Sequence, residues 1–239
     1  MTKLLVLDKD GTITQTKSGE TFPTHPEDQE LIEGVSEAVQ RYVDDGWTIA
    51  IASNQGGCQV RDCKAIDFPV GAYYVNGNDK PLMVVRKSQS RERIPHSNEV
   101  DSFVMLTTVD PRPNGKDYLY FSAESIIQFQ YKTIDMAIAE MQYAMQLTGI
   151  NTAYFCPDSG ESLRIVEKDC DNIGWGKLFA PFRKPSAGML QVAESRLSSY
   201  CDLHEAPITK RLMIGDRPED QSAAQNAGFD FMWAEDWRN

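Results

Sequence analysis

The stretch LLVLDKDGTIT, residues 4–14, decides how the rest of the chain is read. Its four consecutive apolar residues, Leu4 to Leu7, have the pattern of a strand buried on both faces of a parallel sheet. Asp8 and Asp10 follow at once, with Lys9 between them. An unpaired buried charge is very costly, so these acids must leave the strand and find compensation. They form either a solvated turn or a pair held at a strand tip to do chemistry.

Working outward, strands alternate with helices. A helix is expected within residues 26–46, where Leu31, Val35, Ala38, Val39 and Tyr42 recur at helical spacing and Gly46 offers a stop. WTIAIASN (47–54) reads as a second buried strand that ends in small polar residues. A helix over 132–147, a strand at 151–156, a loop, and a helix over 186–197 follow. A strand at 211–216, a helix over 218–228 and a last strand at 229–234 complete the series. This alternation implies an α/β fold with a doubly wound, Rossmann-like parallel sheet. Residues 69–128 break the rhythm with short β-like runs separated by Asn-Gly, Pro and Gly turns. They read as a β-rich insertion in a core formed by residues 1–68 and 129–239.

The chain has 239 residues and a formal net charge of −11, and 41% of it is hydrophobic. That is enough to bury a sizeable core, and the charge argues against coating nucleic acid by long-range attraction alone. Five scattered cysteines without a Cys-x-x-Cys pair read as reduced thiols rather than a disulfide framework. No apolar run approaches the roughly 20 residues that span a bilayer, and the N-terminal run is too short for a signal core. A cytoplasmic protein with no membrane partner is expected.

In an open parallel sheet, ligands bind beyond the carboxyl ends of the strands. Those ends carry Asp8 and Asp10, then Ser53 and Asn54, then Asp216, and Lys184 precedes a helix that starts beside the same edge. Acids, a hydroxyl, an amide and a cation in one place suit phosphoryl transfer. That reaction needs a nucleophile, a divalent cation and positive charge around the transferred oxygens. A carboxylate can be the nucleophile, Mg²⁺ takes carboxylate ligands, and hydroxyl, amide and ammonium groups can cradle phosphate.

Four segments in order, LDKDGT, IASNQGG, FRKPSAGM and IGDRPEDQ, resemble the motifs of the haloacid dehalogenase-like (HAD) phosphatase superfamily. The resemblance covers the α/β core and not the insertion. It implies a Mg²⁺-dependent phosphomonoesterase that works through an aspartyl-phosphate. Asp8 resembles the nucleophile and a metal ligand. Asp10 resembles the general acid/base, and its backbone carbonyl typically ligates the metal. Ser53 and Asn54 resemble the phosphate-binding pair, and Lys184 the lysine that offsets charge on nucleophile and phosphate. Asp216 resembles a metal ligand, with Asp220 a direct, water-mediated or merely structural partner. Thr12 is expected to fix the turn and Lys9 to point to the opposite face. Arg183 and Arg217 flank the motifs and either contact substrate or form salt bridges.

Within the superfamily, SNQGG and RKPxxGM most resemble a branch that holds histidinol-phosphate and heptose-bisphosphate phosphatases and the 3′-phosphatase of polynucleotide kinase/phosphatases. Small-molecule members often carry a zinc loop. Here Cys156 is kept, but Asp158 stands where histidine is expected and Phe182 where the last cysteine would be. No structural zinc is therefore expected. VVRKSQSRER (84–93) forms the main basic cluster, with Arg86, Lys87, Arg91 and Arg93. It is either a solvated loop or a track for a nucleic-acid backbone, with Tyr73, Tyr74 or Tyr118 available for stacking. The reading leans to a polynucleotide 3′-phosphatase acting on a 3′-phosphorylated end. The alternatives are a phosphatase of a sugar, amino-alcohol or nucleotide phosphate, and a non-catalytic module that binds phosphate or nucleic-acid ends.

Overall fold

The apolar run that opens the chain becomes the central strand of a seven-stranded sheet. The computed structural model describes residues 2–64, 67–69, 72–75, 81–87, 103–108, 118–122, 126–168, 170–175, 181–203 and 207–239. The N-terminal part holds β1 (Thr2–Leu7), β2 (Thr14–Thr16), β3 (Gln29–Leu31), α1 (Val35–Asp44) and β4 (Trp47–Asn54). Next come β5 (Arg61–Lys64), β6 (Tyr73–Val75), β7 (Pro81–Lys87), β8 (Phe103–Thr108), β9 (Tyr118–Ser122) and β10 (Ile126–Gln130). The chain continues with α2 (Ile134–Thr148), β11 (Thr152–Cys156), β12 (Leu163–Glu167), β13 (Cys170–Trp175) and α3 (Gly188–Leu203). β14 (Ile208–Gly215), α4 (Pro218–Ala227), β15 (Asp230–Trp233) and α5 (Ala234–Arg238) close it.

Residues 1–56 and 134–239 form one unit, residues 57–133 another. In the first, the sheet order is β13-β12-β11-β4-β1-β14-β15. The five strands from β11 to β15 are parallel, which gives the expected doubly wound core. Strand parity splits the run that opens the chain between two faces. Leu4 and Val6 join Met189, Leu190, Ala193, Ala223 and Ala224 in one core cluster, under α3 and α4. The other face, to which Leu5 and Leu7 turn, is covered by α1, α2 and α5.

Two expectations are corrected. The helix expected within 26–46 begins only at Val35, after Gly34 in a left-handed conformation (φ 84°). Gln29–Leu31 instead pairs with Thr14–Thr16 as an antiparallel ribbon. Asp28 anchors the loop between these strands by accepting hydrogen bonds from the amides and hydroxyls of Ser18 and Thr24. Thr24 first, then Ser18, hold its carboxyl well below the ordinary range. The loop expected after β11 contains β12 and β13, an antiparallel pair that extends the sheet edge. Charged residues among Leu163, Ile165 and Val166 disguise it in the sequence.

The unit of residues 57–133 is a six-stranded antiparallel sheet in the order β5-β10-β6-β7-β8-β9. It is wider than the expected insertion of 69–128 because its first and last strands, β5 and β10, pair with each other. Arg86 and Lys87 lie on β7, whereas Arg91 and Arg93 lie outside the described residues. The side chains of Tyr73, Tyr74 and Tyr118, proposed for stacking, are also outside the description. Among the described residues, no helix is long and apolar enough to cross a membrane.

Candidate active site

Chain order reverses at β1, between β4 and β14, and such a switch point leaves a crevice at the carboxyl ends of the strands. Asp8 follows β1, Ser53 and Asn54 end β4, and Asp216 follows β14. One pocket there is lined by Asp8, Asp10, Ser53, Asn54, Lys184, Arg217 and Asp220. Phe22, exposed on the loop between β2 and β3, and Glu219 line it as well and were not anticipated.

Lys184 organises the floor. Its buried ammonium donates to Asp8 Oδ1 and to the Ala52 carbonyl (2.9 Å), and pairs with Asp220 Oδ1 at 2.6 Å. Burial alone would lower its pKa, but Asp8 and Asp220 outweigh that and hold it above its ordinary value. Asp8 also accepts from the Thr12 hydroxyl at 3.4 Å, the turn contact expected of Thr12. Burial pushes the Asp8 carboxyl up to about 7, opposed by Lys184 and reinforced by Asp220 and Asp10.

Asp220 is bound from both ends. Its Oδ2 accepts the Arg217 amide (3.1 Å) at the start of α4 while Oδ1 faces Lys184. The structural and site readings of this residue are therefore compatible. A Cβ on Gly215 would run into the Asp220 side chain, which explains glycine at the end of β14. Asp216 is more exposed, and burial raises its pKa against the pull of Arg217. Carboxylate oxygens of Asp8, Asp216 and Asp220 lie within 4.8 Å of one another. This all-oxygen, acidic donor set fits Mg²⁺.

Gly11 makes room for that set. It adopts φ 85°, and a Cβ there would overlap Asp216 Oδ2. Gly11→Ala should therefore cost about 1–3 kcal/mol from backbone strain alone. Urea unfolding that matches wild type would refute this.

Three side chains behave differently from expectation. Asn54 lines the pocket, but its carboxamide exchanges two hydrogen bonds, each 2.9 Å, with the backbone N–H and C=O of Lys184. It positions the lysine through its carbonyl oxygen and one amide hydrogen. Lys9 does not point away from the site. It is fully buried, and its ammonium donates to Asp10 Oδ1 and to Gln29 Oε1 (2.9 Å). Gln55 was missed altogether, although it stands beside Asn54 in SNQGG. Its buried carboxamide donates to both Asp10 Oδ2 (3.2 Å) and Ser53 Oγ (2.8 Å).

Where a zinc loop would lie, Asp158 does the folding. Its carboxylate accepts the amides of Gly160, Glu161 and Ser162, and Arg183 donates to its carbonyl at 3.3 Å. The Cys156 thiol donates to Asp158 O at 3.5 Å, and burial pushes it up to about 12, so it stays neutral. His25 is exposed beside Glu27, and His96 and His204 lie outside the described residues.

A family model described as polynucleotide kinase 3 phosphatase matches residues 3–76, and one described as HAD-hydrolase-like matches residues 181–235. The two segments carry Asp8, Asp10, Ser53 and Asn54, then Lys184, Asp216 and Asp220. The chain is similar to D-glycero-D-manno-heptose-1,7-bisphosphate 7-phosphatase of Thermosynechococcus vestitus, with 24% identity over 222 residues. That match spans 93% of this chain and 73% of the relative. Among solved structures, D,D-heptose 1,7-bisphosphate phosphatase from B. bronchiseptica, complexed with magnesium and phosphate, is 16% identical with a TM-score of 0.44. It is matched over 96% of this chain and 78% of its own. A protein assigned as a HAD-like phosphatase from Mesorhizobium loti is 19% identical, also with a TM-score of 0.44. Those shares are 95% and 69%.

Proposed function

Since the chain is a phosphatase of the haloacid dehalogenase-like superfamily, we propose that it hydrolyses a small phosphorylated metabolite, a sugar phosphate first, through an aspartyl-phosphate on Asp8. The observation that carries the catalytic part is the Lys184 ammonium, buried between Asp8 and Asp220 at the crevice where Asp10 and Ser53 converge.

Asp8 attacks phosphorus as the ester P–O bond breaks, and Asp10 gives its proton to the departing oxygen. Asp10 then takes a proton from the water that attacks the aspartyl-phosphate, which releases inorganic phosphate and restores Asp8. Lys184 and the Ser53 hydroxyl hold phosphate oxygens, and Arg217 reaches them from the rim. Asp8, Asp216 and Asp220 would hold Mg²⁺, with the Asp10 carbonyl as a further ligand. Bound there, the cation supplies charge neutralisation for the transferred group.

Likeness across 93% of the chain to a heptose-bisphosphate phosphatase supports the sugar-phosphate reading. The missing zinc ligands do not weigh against it, because Asp158 folds that loop by hydrogen bonds. A 3′-phosphorylated nucleic-acid end is the second reading. It is favoured by the family model over residues 3–76 and by the basic stretch that begins on β7.

Phosphate release from heptose bisphosphate, other sugar phosphates, histidinol phosphate, nucleotides and 3′-phosphorylated oligonucleotides tests both readings. Sugar phosphates should lead, and chelation with EDTA should abolish release until Mg²⁺ is restored. Preference for a 3′-phosphorylated end would replace the first reading with the second. Full turnover in EDTA would remove the metal.

A further inference from the structure

Beside the pocket lies a polar network to which the catalytic scheme gives no task. Lys9 is wholly buried one residue from each acid, and a buried ammonium is costly unless paired and hydrogen-bonded. Replacing a whole buried ion pair by apolar residues often serves stability as well or better. The lysine must therefore be read from what it holds. Its Nζ donates to Asp10 Oδ1 and to Gln29 Oε1. Gln29 is itself buried and cannot swing away, because its amide donates to the carbonyls of Pro26 (2.8 Å) and Glu140 (3.2 Å). The ammonium is thus anchored to β3 and to the backbone of α2.

The second oxygen of Asp10 is held from just beyond the end of the neighbouring strand, β4. Gln55 donates to Asp10 Oδ2 and to Ser53 Oγ, so one buried carboxamide ties the acid/base to the hydroxyl in the phosphate crevice. Gln55 is fixed in turn, with its backbone N–H on the Cys156 carbonyl at 2.8 Å. Ser53 accepts from Gln55, which directs its own O–H away from that carboxamide. Asp10, partly exposed, therefore presents a carboxyl whose plane is set by two donors on different elements.

We propose that Lys9 and Gln55 are positioning residues that clamp the two carboxyl oxygens of Asp10 and thereby set how well it delivers a proton to the leaving oxygen. The clamp makes the two oxygens inequivalent. Oδ1 faces the Lys9 ammonium, and Oδ2 faces the Gln55 carboxamide beside Ser53. When Asp10 gives its proton to the departing ester oxygen, the resulting carboxylate is held by both hydrogen bonds. This rests on the acid/base reading of Asp10 proposed above.

The readout is the dependence of kcat/KM on the leaving group, because a departing group that is already a good anion needs little help from an acid. Lys9→Met and Gln55→Met keep side-chain length and remove the donors. Each should lower kcat/KM for an alkyl phosphate, the best sugar phosphate of the panel, by about 10²-fold, the low end of what a positioned acid contributes. With p-nitrophenyl phosphate the loss should be several-fold at most. Asp10→Asn is the reference and should show the same selectivity more strongly. Equal losses on the two substrates for both methionine variants, or no loss, beside a selective Asp10→Asn, would overturn the clamp and leave the acid in place. A non-selective Asp10→Asn would overturn the acid reading and the clamp with it. If Lys9→Met fails to fold, Gln55→Met decides alone.

Discussion

Asp8→Asn should abolish turnover, with a loss on the order of 10⁵-fold, as expected when a covalent nucleophile is removed. Asparagine keeps the shape and the contact with Thr12 but cannot form an acyl phosphate. No phosphorylated enzyme should be trapped from the variant, whereas acid quenching of the wild type during turnover should yield one. The same substitution should stabilise the metal-free fold. Burial raises the Asp8 carboxyl from the ordinary 3.8 to about 7. A carboxyl raised in this way contributes stability that is fully present below pH 3.8 and lost as pH rises through 7. In EDTA, the melting temperature of Asp8→Asn should therefore match wild type near pH 4 and exceed it increasingly toward pH 8. A variant that retains most activity would remove Asp8 as nucleophile. A variant that melts below wild type at pH 8 would show that the pair with Lys184 outweighs the burial of the carboxylate.

Lys184→Met should damage both stability and activity. The lysine neutralises two buried carboxylates, and removing one partner of a buried ion pair costs about 3–5 kcal/mol because the charge left behind has no compensation. Asp8, already raised, should rise further without its cation, so the destabilisation should grow between pH 6 and pH 8 as Asp8 is forced to ionise. Mg²⁺ should restore part of the lost stability by binding the same oxygens, and this would show in urea midpoints measured with and without the ion. Activity should stay low even when stability is restored, because the phosphate has lost its buried cation. A pH-independent loss, or no response to Mg²⁺, would mean that Asp8 and Asp220 relax apart once the lysine is gone.

Much of this could be read in the linear chain because the sheet is made of continuous apolar runs whose ends stop at polar residues. Leu4–Leu7, the run from Ile49 to Ala52, and Leu212–Ile214 each mark a buried strand, and each is followed by residues that line or flank one crevice. Errors arose where local spacing competed with long-range pairing. Leu31 fits the helical stripe of α1, yet Gln29–Leu31 is a strand because Thr14–Thr16 pairs with it and Gly34 interrupts the helix. Lys9 was assigned to the opposite face by strand alternation. The backbone leaves the strand after Leu7, however, and a side chain as long as lysine can turn back to Asp10.

By itself, then, the order of apolar runs and polar tips in this sequence determined a doubly wound sheet, and with it the positions of Asp8, Asp10, Ser53, Lys184 and Asp216 at one edge. Those facts are local, since each strand and its end lie within a few consecutive residues. Only the tertiary structure decided what those groups do to one another. It showed that Asn54 serves the backbone of Lys184, that Gln55 joins Ser53 to Asp10, and that the buried Lys9 holds Asp10. Hydrogen bonds from Asn54 to Lys184 and from Gln55 to Asp10, 130 and 45 positions apart, set those assignments, and their geometry exists only once the strands are side by side.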